Sequence, residues 1–364
     1  MFVNKYVKRL KPYALVSHKA WERIYDENIL KLDWNEATVP PSPLVSKNIL
    51  QFLEAGKLNW YPDVNNHKLL QSIASYNDID LLNIQYFASS DSLQEYIVRS
   101  YIEEGDKVVI VSPTYDNFRA SAESLGADIC YFGLDEQFRL DFRRLTEYLE
   151  NISPKIVYIC NPNNPTGTIH ESNKLEELVE NFQSILFIID EAYYEFCGVS
   201  MKHIVKENKN VIITRTFSKA FALASFRIGY AISSEQNIKI LDKVRNAKNI
   251  NTLSQIAAIA ALTDIAYMQN YVQEVNNSKA VFVENLKRLD KTCFEVFSGG
   301  GNFVFLKLKP ADKVELIDCF ESHNIFVRNF SHMPDLSNFI RISVGVSSQM
   351  DKVFNVIEDF YNKK

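Results

Sequence analysis

Residues 214–230 read TRTFSKAFALASFRIGY, and the single lysine of this run, Lys219, is the side chain best suited to covalent chemistry. Thr216 and Ser218 set short hydroxyls beside it, and Arg227 follows eight residues later. A lysine in apolar surroundings loses water from its ammonium, which lowers its pKa and leaves part of it as a nucleophilic amine. Hydroxyls and an arginine are groups that hold a phosphate, the arginine through a permanently charged, two-pronged fork. One reading of the run is a lysine that does chemistry beside a bound phosphate, and the rest of the chain decides it. The alternative, an ion-paired surface helix, needs more polar neighbours than Lys219 has.

Three other stretches carry groups of the right kind. In KIVYICNPNNPTGTIH a polar turn follows a buried strand and places Asn164 between Asn163 and Pro165. Ligands of open parallel sheets sit beyond the carboxyl ends of strands, within reach of such an amide. The same turn also has a purely backbone explanation. ILFIIDEAYYEF ends an apolar strand in Asp190 and Glu191, with Tyr193 close behind. That pattern also suits the magnesium strand of a P-loop ATPase, but the required GxxxxGK[ST] is absent, since Gly56-Lys57 leads into Leu58. YFASSDSLQEYIV passes from strand to helix through Ser89, Ser90, Asp91 and Ser92. Free N–H groups at a helix start make a phosphate seat, although Ser and Asp are also ordinary capping residues. GGGNFVF (299–305) precedes a strand rather than a helix and so is no dinucleotide fingerprint. The six histidines show no metal-ligand spacing.

These groups need a scaffold, and the chain supplies the pattern of one. Between about residues 83 and 233, short Ile- and Val-rich runs (108–112, 128–133, 155–160, 185–190, 211–217 and 227–233) alternate with amphipathic stretches. Such alternation predicts an α/β fold with a mostly parallel central sheet flanked by helices. After residue 250 a long helical stretch (252–289) and three further strand-like runs predict a smaller α+β domain. The expected division is 35–250 for the large domain, with 1–34 and 251–364 forming the small one, and the N-terminal segment packing against the latter. With 364 residues, 46% hydrophobic and 23% charged, the chain has the make-up of a globular protein with an ample core. A net charge of −5 argues against a broad nucleic-acid face. No apolar run approaches membrane-spanning length, and the N-terminal stretch lacks a signal-peptide pattern. The five cysteines are scattered, without a CxxC pair, as in a reducing compartment. A cytoplasmic location is expected, with neither nucleic acid, membrane nor metal as partner.

Taken in order, Tyr115 after SPT, NPNNPTG, DEAY, TFSKAFAL with Arg227, and the late FIRISVG resemble the fold-type-I pyridoxal-phosphate aminotransferases. Within them the chain is similar to the histidinol-phosphate aminotransferase group, from LDWNEATVPPSP to FIRISVG. The resemblance implies an aspartate-aminotransferase-like fold and pyridoxal 5′-phosphate as cofactor. By the same resemblance, Lys219 forms the Schiff base and later shuttles the proton at the substrate Cα. Thr216, Ser218, Arg227 and the helix start at Ser90, Asp91 and Ser92 would hold the cofactor phosphate. Asp190 would pair with the pyridine nitrogen, Asn164 and Tyr193 with the phenolic oxygen, and Tyr115 would stack on the ring. Tyr61, in NWYPD, matches a tyrosine that reaches the phosphate of a neighbouring subunit, so a homodimer with shared sites is implied. Arg341 matches the residue that grips the amino donor's carboxylate.

The substrate is less sharply marked. Arg328, in NIFVRNF, matches an arginine that binds a substrate phosphate. The group's Asn-Glu-Asn-Pro-Tyr-Gly is here NEATVPPSP, which keeps Asn35 and Glu36 and loses the rest. The group's Gly-Ala/Ser-Asp/Asn-Glu is here SSDS, with Ser92 in place of the acid. The first change lies where substrate is enclosed, with Asn35 as a candidate substrate contact. The expected reaction moves an amino group, with L-glutamate as donor, to a small phosphorylated ketone such as dihydroxyacetone phosphate or imidazole-acetol phosphate. A decarboxylase of phosphoserine or phosphothreonine is the alternative on the same scaffold, and a non-catalytic cofactor-binding regulator is a more distant one.

Overall fold

The structure, a computed structural model, describes residues 2–11, 19–289 and 293–364. Among the described residues, seven strands build the larger sheet: β2 (Ile84–Phe87), β3 (Lys107–Ser112), β4 (Asp128–Gly133), β5 (Ile156–Cys160), β6 (Leu186–Asp190), β7 (Val211–Thr216) and β8 (Gly229–Ser233). Their order is β2-β8-β7-β6-β5-β3-β4. Neighbours from β4 to β7 pair in parallel, and β8 runs against both β7 and β2. The predicted mostly parallel sheet is thus present, with one reversed strand.

Every residue of β5, β6 and β7 is buried, which their continuous Ile/Val runs require of strands covered on both faces. Alternation then divides the core. Val157, Ile159, Phe187 and Ile189 belong to one cluster, whereas Ile156, Tyr158 and Ile188 belong to the other. Register brings chemistry to one end of the sheet: Cys160 lies opposite Asp190, Asp190 opposite Thr214, and Thr216 opposite Gly229.

The smaller sheet comprises β1 (Leu30–Leu32), β9 (Phe294–Ser298), β10 (Phe303–Leu308), β11 (Ile325–Asn329) and β12 (Phe339–Ser343), in the order β1-β11-β12-β10-β9. Only β1 pairs in parallel, with β11. Phe305 and Phe339 stack at 4.5 Å, and Phe138, from the loop after β4, packs edge-on against Phe339 at 5.7 Å. The long helix expected over 252–289 is two helices, Thr252–Thr263 and Ile265–Arg288, broken at Asp264. The Asp264 carboxylate accepts from Ser42 Oγ at 2.5 Å.

The N-terminal segment divides between the two bodies. Lys19 pairs with Glu321 at 2.6 Å and Arg23 donates to Asn324 at 2.7 Å, so this part lies beside the small sheet. Residues 2–11 lie instead on the larger body, where Lys5 pairs with Glu104 and Arg119 donates to the Lys11 carbonyl at 3.2 Å.

The glycines of GGGNFVF have a packing reason. Gly300 N–H donates to the Gly167 carbonyl at 2.8 Å, and a Cβ on Gly299 would lie 2.0 Å from that same oxygen. Lys279 pins the turn from behind, donating to the carbonyls of Gly299 and Gly301 at 2.7 Å each. The smaller sheet therefore meets the NPNNPTG loop main chain to main chain.

Candidate active site

A cavity of about 1200 Å³ opens at the carboxyl end of the larger sheet and is closed on one side by the smaller. Lys219, Asp190, Tyr193, Asn164, Tyr115, Ser90, Asp91, Thr216, Ser218, Arg227, Arg328 and Arg341 all line it. Residues far apart in sequence thus meet in one place, since β5, β6 and β7 all end there.

Lys219 stands just past β7, its Nζ donating to the Trp34 carbonyl at 2.8 Å and lying 6.0 Å from the centre of the Tyr193 ring. Enclosure by protein, then the nearby Arg341 charge, lower its pKa to about 8, with Glu36 and Asp91 opposing. Part of the lysine is therefore free amine near neutrality, as nucleophilic chemistry requires. Asp190 closes β6 and is buried, and burial lifts its carboxyl to about 6 against the donors Tyr158 and Thr214.

The helix Ser90–Tyr101 starts at the cavity wall. Asp91 there accepts from the Tyr115 hydroxyl at 3.0 Å and from Arg227 at 2.9 Å. Thr216 and Ser218 hydroxyls bond each other at 2.9 Å. Gly229 brings the two walls together: a Cβ there would lie 2.6 Å from the Arg215 carbonyl and 2.7 Å from Ser90 N. This is a tight cradle of helix N–H, hydroxyls and a guanidinium, the donor set that suits a phosphate.

Arg328 on β11 and Arg341 on β12 are register partners, so both side chains leave the same face of the small sheet. Both are buried. Arg341 donates to Asn164 Oδ1 and, at 2.7 Å, to the Asp33 carbonyl. Arg328 lies over the Phe330 ring, 5.9 Å from its centre.

Three expected residues stand elsewhere. Asn35 is fully buried and does not line the cavity. Its amide donates to the Tyr193 hydroxyl at 3.0 Å and its carbonyl oxygen accepts from Ser343, so it braces Tyr193 from behind. Ser92 lies in the first helical turn, outside the lining, its N–H taken by Ser89 Oγ at 3.2 Å. Tyr61 is 80% exposed, away from the cavity of its own chain, with Lys248 4.7 Å over its ring.

Residues missed in the sequence include Tyr158, Gln94 and Thr214, all bonded to Asp190. A signal existed for two of them. Tyr158 lies two before the strand-ending Cys160, and Gln94 follows Ser90 by four, so each shares a face with a cavity residue.

Among the described residues no cluster suits a metal ion, and no helix is long and apolar enough to cross a membrane. Residues 27–357 match the family Aminotransferase class I and II. The chain is 45% identical to the dihydroxyacetone phosphate transaminase Cj1437c of Campylobacter jejuni, covering 100% of this chain and 98% of that protein. It is 32% identical to the histidinol-phosphate aminotransferase of Ruminiclostridium cellulolyticum, covering 92% and 93%. The fold superposes on histidinol-phosphate aminotransferase from Sinorhizobium meliloti in complex with pyridoxal-5′-phosphate, with a TM-score of 0.86, 26% identity and coverage of 100% and 98%. Aspartate aminotransferase from Thermus thermophilus shares the fold at a TM-score of 0.82 and 19% identity, over 99% of this chain and 100% of that one. With the family match spanning residues 27–357 and full-length relatives beside it, the chain belongs to the class I and II aminotransferases, pyridoxal-phosphate enzymes of fold type I.

Proposed function

We propose that this aminotransferase transfers an amino group from L-glutamate to dihydroxyacetone phosphate, giving the corresponding amino-alcohol phosphate. The observation that carries the reading is the pair of buried, register-matched arginines, Arg328 and Arg341, facing the lysine's cavity. Two anionic groups are to be bound there: the donor's carboxylate at Arg341 and the ketone's phosphate at Arg328. Full-length similarity to a protein named dihydroxyacetone phosphate transaminase supports the smaller ketone over imidazole-acetol phosphate. The loss of the Asn-Pro-Tyr-Gly motif after Asn35-Glu36 agrees with a changed substrate enclosure. The decarboxylase alternative draws on a threonine-phosphate decarboxylase of Porphyromonas gingivalis at 22% identity, a likeness of fold alone.

The residues fit pyridoxal phosphate, as the Gly229 cradle and the desolvated Lys219 amine indicate. When bound, that cofactor supplies an aldehyde to carry the amino group and a ring that accepts electrons as the substrate's Cα–H bond breaks. In the proposed arrangement the start of the helix Ser90–Tyr101, with Thr216, Ser218 and Arg227, holds the phosphate. Asp190 faces the ring nitrogen and supplies the negative charge that keeps it protonated. Asn164 and Tyr193 hold the phenolic oxygen, Asn35 fixing Tyr193 in turn, and Tyr115 covers the ring face. Lys219 takes the proton from the substrate Cα and returns it on the other side of the reaction, an exchange that suits an amine with a pKa of about 8.

The chain is proposed to work as a homodimer. Trp60 and Tyr61, with Leu50, Leu53 and Leu58, expose more apolar surface than scattered single residues. Tyr61 would reach the partner's phosphate seat from there. The proposed domain division is 35–250 against 1–34 with 251–364, residues 2–11 crossing over to the larger body. Five free cysteines suit a cytoplasmic location.

The test is spectroscopic. L-glutamate alone should convert the yellow enzyme to a near-ultraviolet form with release of 2-oxoglutarate, and dihydroxyacetone phosphate should restore the yellow form. Restoration by imidazole-acetol phosphate and not by dihydroxyacetone phosphate would overturn the substrate assignment. Carbon dioxide release from phosphoserine or phosphothreonine without a keto acid would overturn the transfer itself.

A further inference from the structure

Asp190 is held by side chains from three different elements. The Tyr158 hydroxyl on β5 donates to Oδ2 at 2.8 Å, and Gln94 Nε2, on the helix Ser90–Tyr101, donates to the same oxygen at 3.1 Å. Thr214 Oγ1 on β7 donates to Oδ1 at 3.0 Å. Register produces this convergence, since Thr214 lies opposite Asp190 and Tyr158 lies one alternation before Cys160, its other neighbour.

The need for donors is physical. A carboxylate removed from water loses its hydration, and burial is the largest influence on Asp190, raising its pKa to about 6. Asp91, from the same helix as Gln94, raises it further, and the Ala192 N–H opposes. Cys160 on β5 and Tyr193 beyond β6 are the other titratable groups facing it, and both are shifted upward and stay neutral. The cationic partners usual for a buried carboxylate are replaced here by neutral donors. Tyr158 is well placed to be one of them, because its ring stacks on Phe118 at 4.8 Å and 9°, which fixes the hydroxyl. Burial and the Asp190 charge push its own pKa well above the ordinary value, so it donates throughout the working range.

We infer that Tyr158, with Gln94 and Thr214, is a positioning residue that keeps Asp190 ionised and fixed in orientation at neutral pH. The inference rests on the proposed pairing of Asp190 with the cofactor's ring nitrogen. Removal of the Tyr158 hydroxyl should make the Asp190 carboxyl protonate at higher pH, and cofactor binding should then fail earlier on acidification.

The experiment measures the Kd for pyridoxal phosphate from quenching of tryptophan fluorescence, between about pH 5.5 and about pH 8.5, a span that covers a carboxyl shifted by one or two units. The proteins are the wild type, Tyr158→Phe, Thr214→Val and Asp190→Asn. Phenylalanine keeps the stack on Phe118, and valine keeps the shape of threonine. At the alkaline end Y158F and T214V should bind close to the wild type. Their affinity should fall away about one pH unit earlier, a difference of roughly threefold near pH 6.5 that approaches tenfold at the acid end of the range. Profiles of both variants that superimpose on the wild type's, with D190N weakened, overturn the inference and leave the Asp190 assignment standing. A loss equal at every pH is packing damage and overturns it too. Wild-type binding by D190N at all pH values overturns the ring-nitrogen assignment, and the inference with it.

Discussion

Arg328 and Arg341 stand opposite each other on adjacent antiparallel strands, two buried guanidinium groups leaving one face of the small sheet. Like charges in that relation destabilise a strand pair unless anions answer them, and the substrates' own anions can do so. The two should divide the substrates between them. Arg328→Met should raise KM for dihydroxyacetone phosphate while leaving the glutamate half-reaction near normal, and Arg341→Met should do the reverse. Loss of one charge-assisted pair costs about 1.5–3 kcal/mol, or roughly 10- to 150-fold in affinity. Single-turnover rates with each substrate separately check the division, and equal damage to both halves in both variants would refute it.

Lys219 carries the covalent chemistry in this scheme. The rate at which the apoprotein takes up pyridoxal phosphate, followed by the visible band, should rise through about pH 8 and level off above it, because Lys219 loses its proton there. Lys219→Ala should still retain some cofactor through the phosphate cradle, removable by dialysis, and lose turnover by roughly a thousandfold or more. Turnover near the wild type's would remove Lys219 from its role.

Glu195 gives a stability test away from the cavity. It accepts from the Tyr76 hydroxyl at 3.3 Å, and burial lifts its pKa from 4.5 to about 7, against the pull of Arg215. Between those two values the folded chain binds more protons than the unfolded one. Stability contributed by this group therefore falls as pH rises through the window, and the cost is complete above about 7. Glu195→Gln stays neutral, so it should match the wild type below about pH 4.5 and exceed it at about pH 8, by on the order of 2–3 kcal/mol. Urea unfolding at the two pH values measures the difference, and a constant offset would contradict the account.

Ser89 occupies a backbone conformation, φ 93° and ψ 163°, that is costly for any residue with a Cβ. Its hydroxyl caps the helix through Ser92 N, a bond worth only a few tenths of a kcal/mol relative to glycine at such a position. Ser89→Gly should accordingly stabilise the protein by about 1 kcal/mol, visible as a higher melting temperature. A lower one would mean that the cap outweighs the strain.

The partner-subunit role of Tyr61 is tested by Tyr61→Phe. In a homodimer the variant should weaken cofactor binding by about tenfold through one lost bond to phosphate, although Tyr61 stands outside its own chain's cavity. Sedimentation should find two copies per particle, and a monomer that binds cofactor at full affinity would rule the role out.

What the sequence discloses depends on whether the signal is local. Five of the six apolar runs of the larger sheet are readable because strands buried on both faces have little choice but Ile, Val and their like, whereas β4 stands at the sheet edge with only Phe132 buried. β1 is not, since three residues, Leu30–Leu32, make no period, and β9 is a strand that the three expected runs of the small domain leave out. The break at Asp264 is hidden because the apolar pattern runs on across it. In the cavity, residues at strand ends announce themselves through turn chemistry. Tyr158 and Thr214 lie inside strands, where their meaning depends on which strand lies alongside. Asn35 belongs to a motif near the substrate, but its left-handed backbone (φ 56°) and two side-chain bonds turn it toward Tyr193.

The contact of Gly299 and Gly300 with Gly167 has a bearing on how finely the arginines are placed. A junction of side chains can absorb an error by changing rotamers, but bare main chain has none to change. Strand β10 begins just beyond this turn and lies beside β12, which bears Arg341. A single methyl group at Gly299 would therefore act as a shim under the small sheet, and the reach between Lys219 and both arginines would have to take up the thickness.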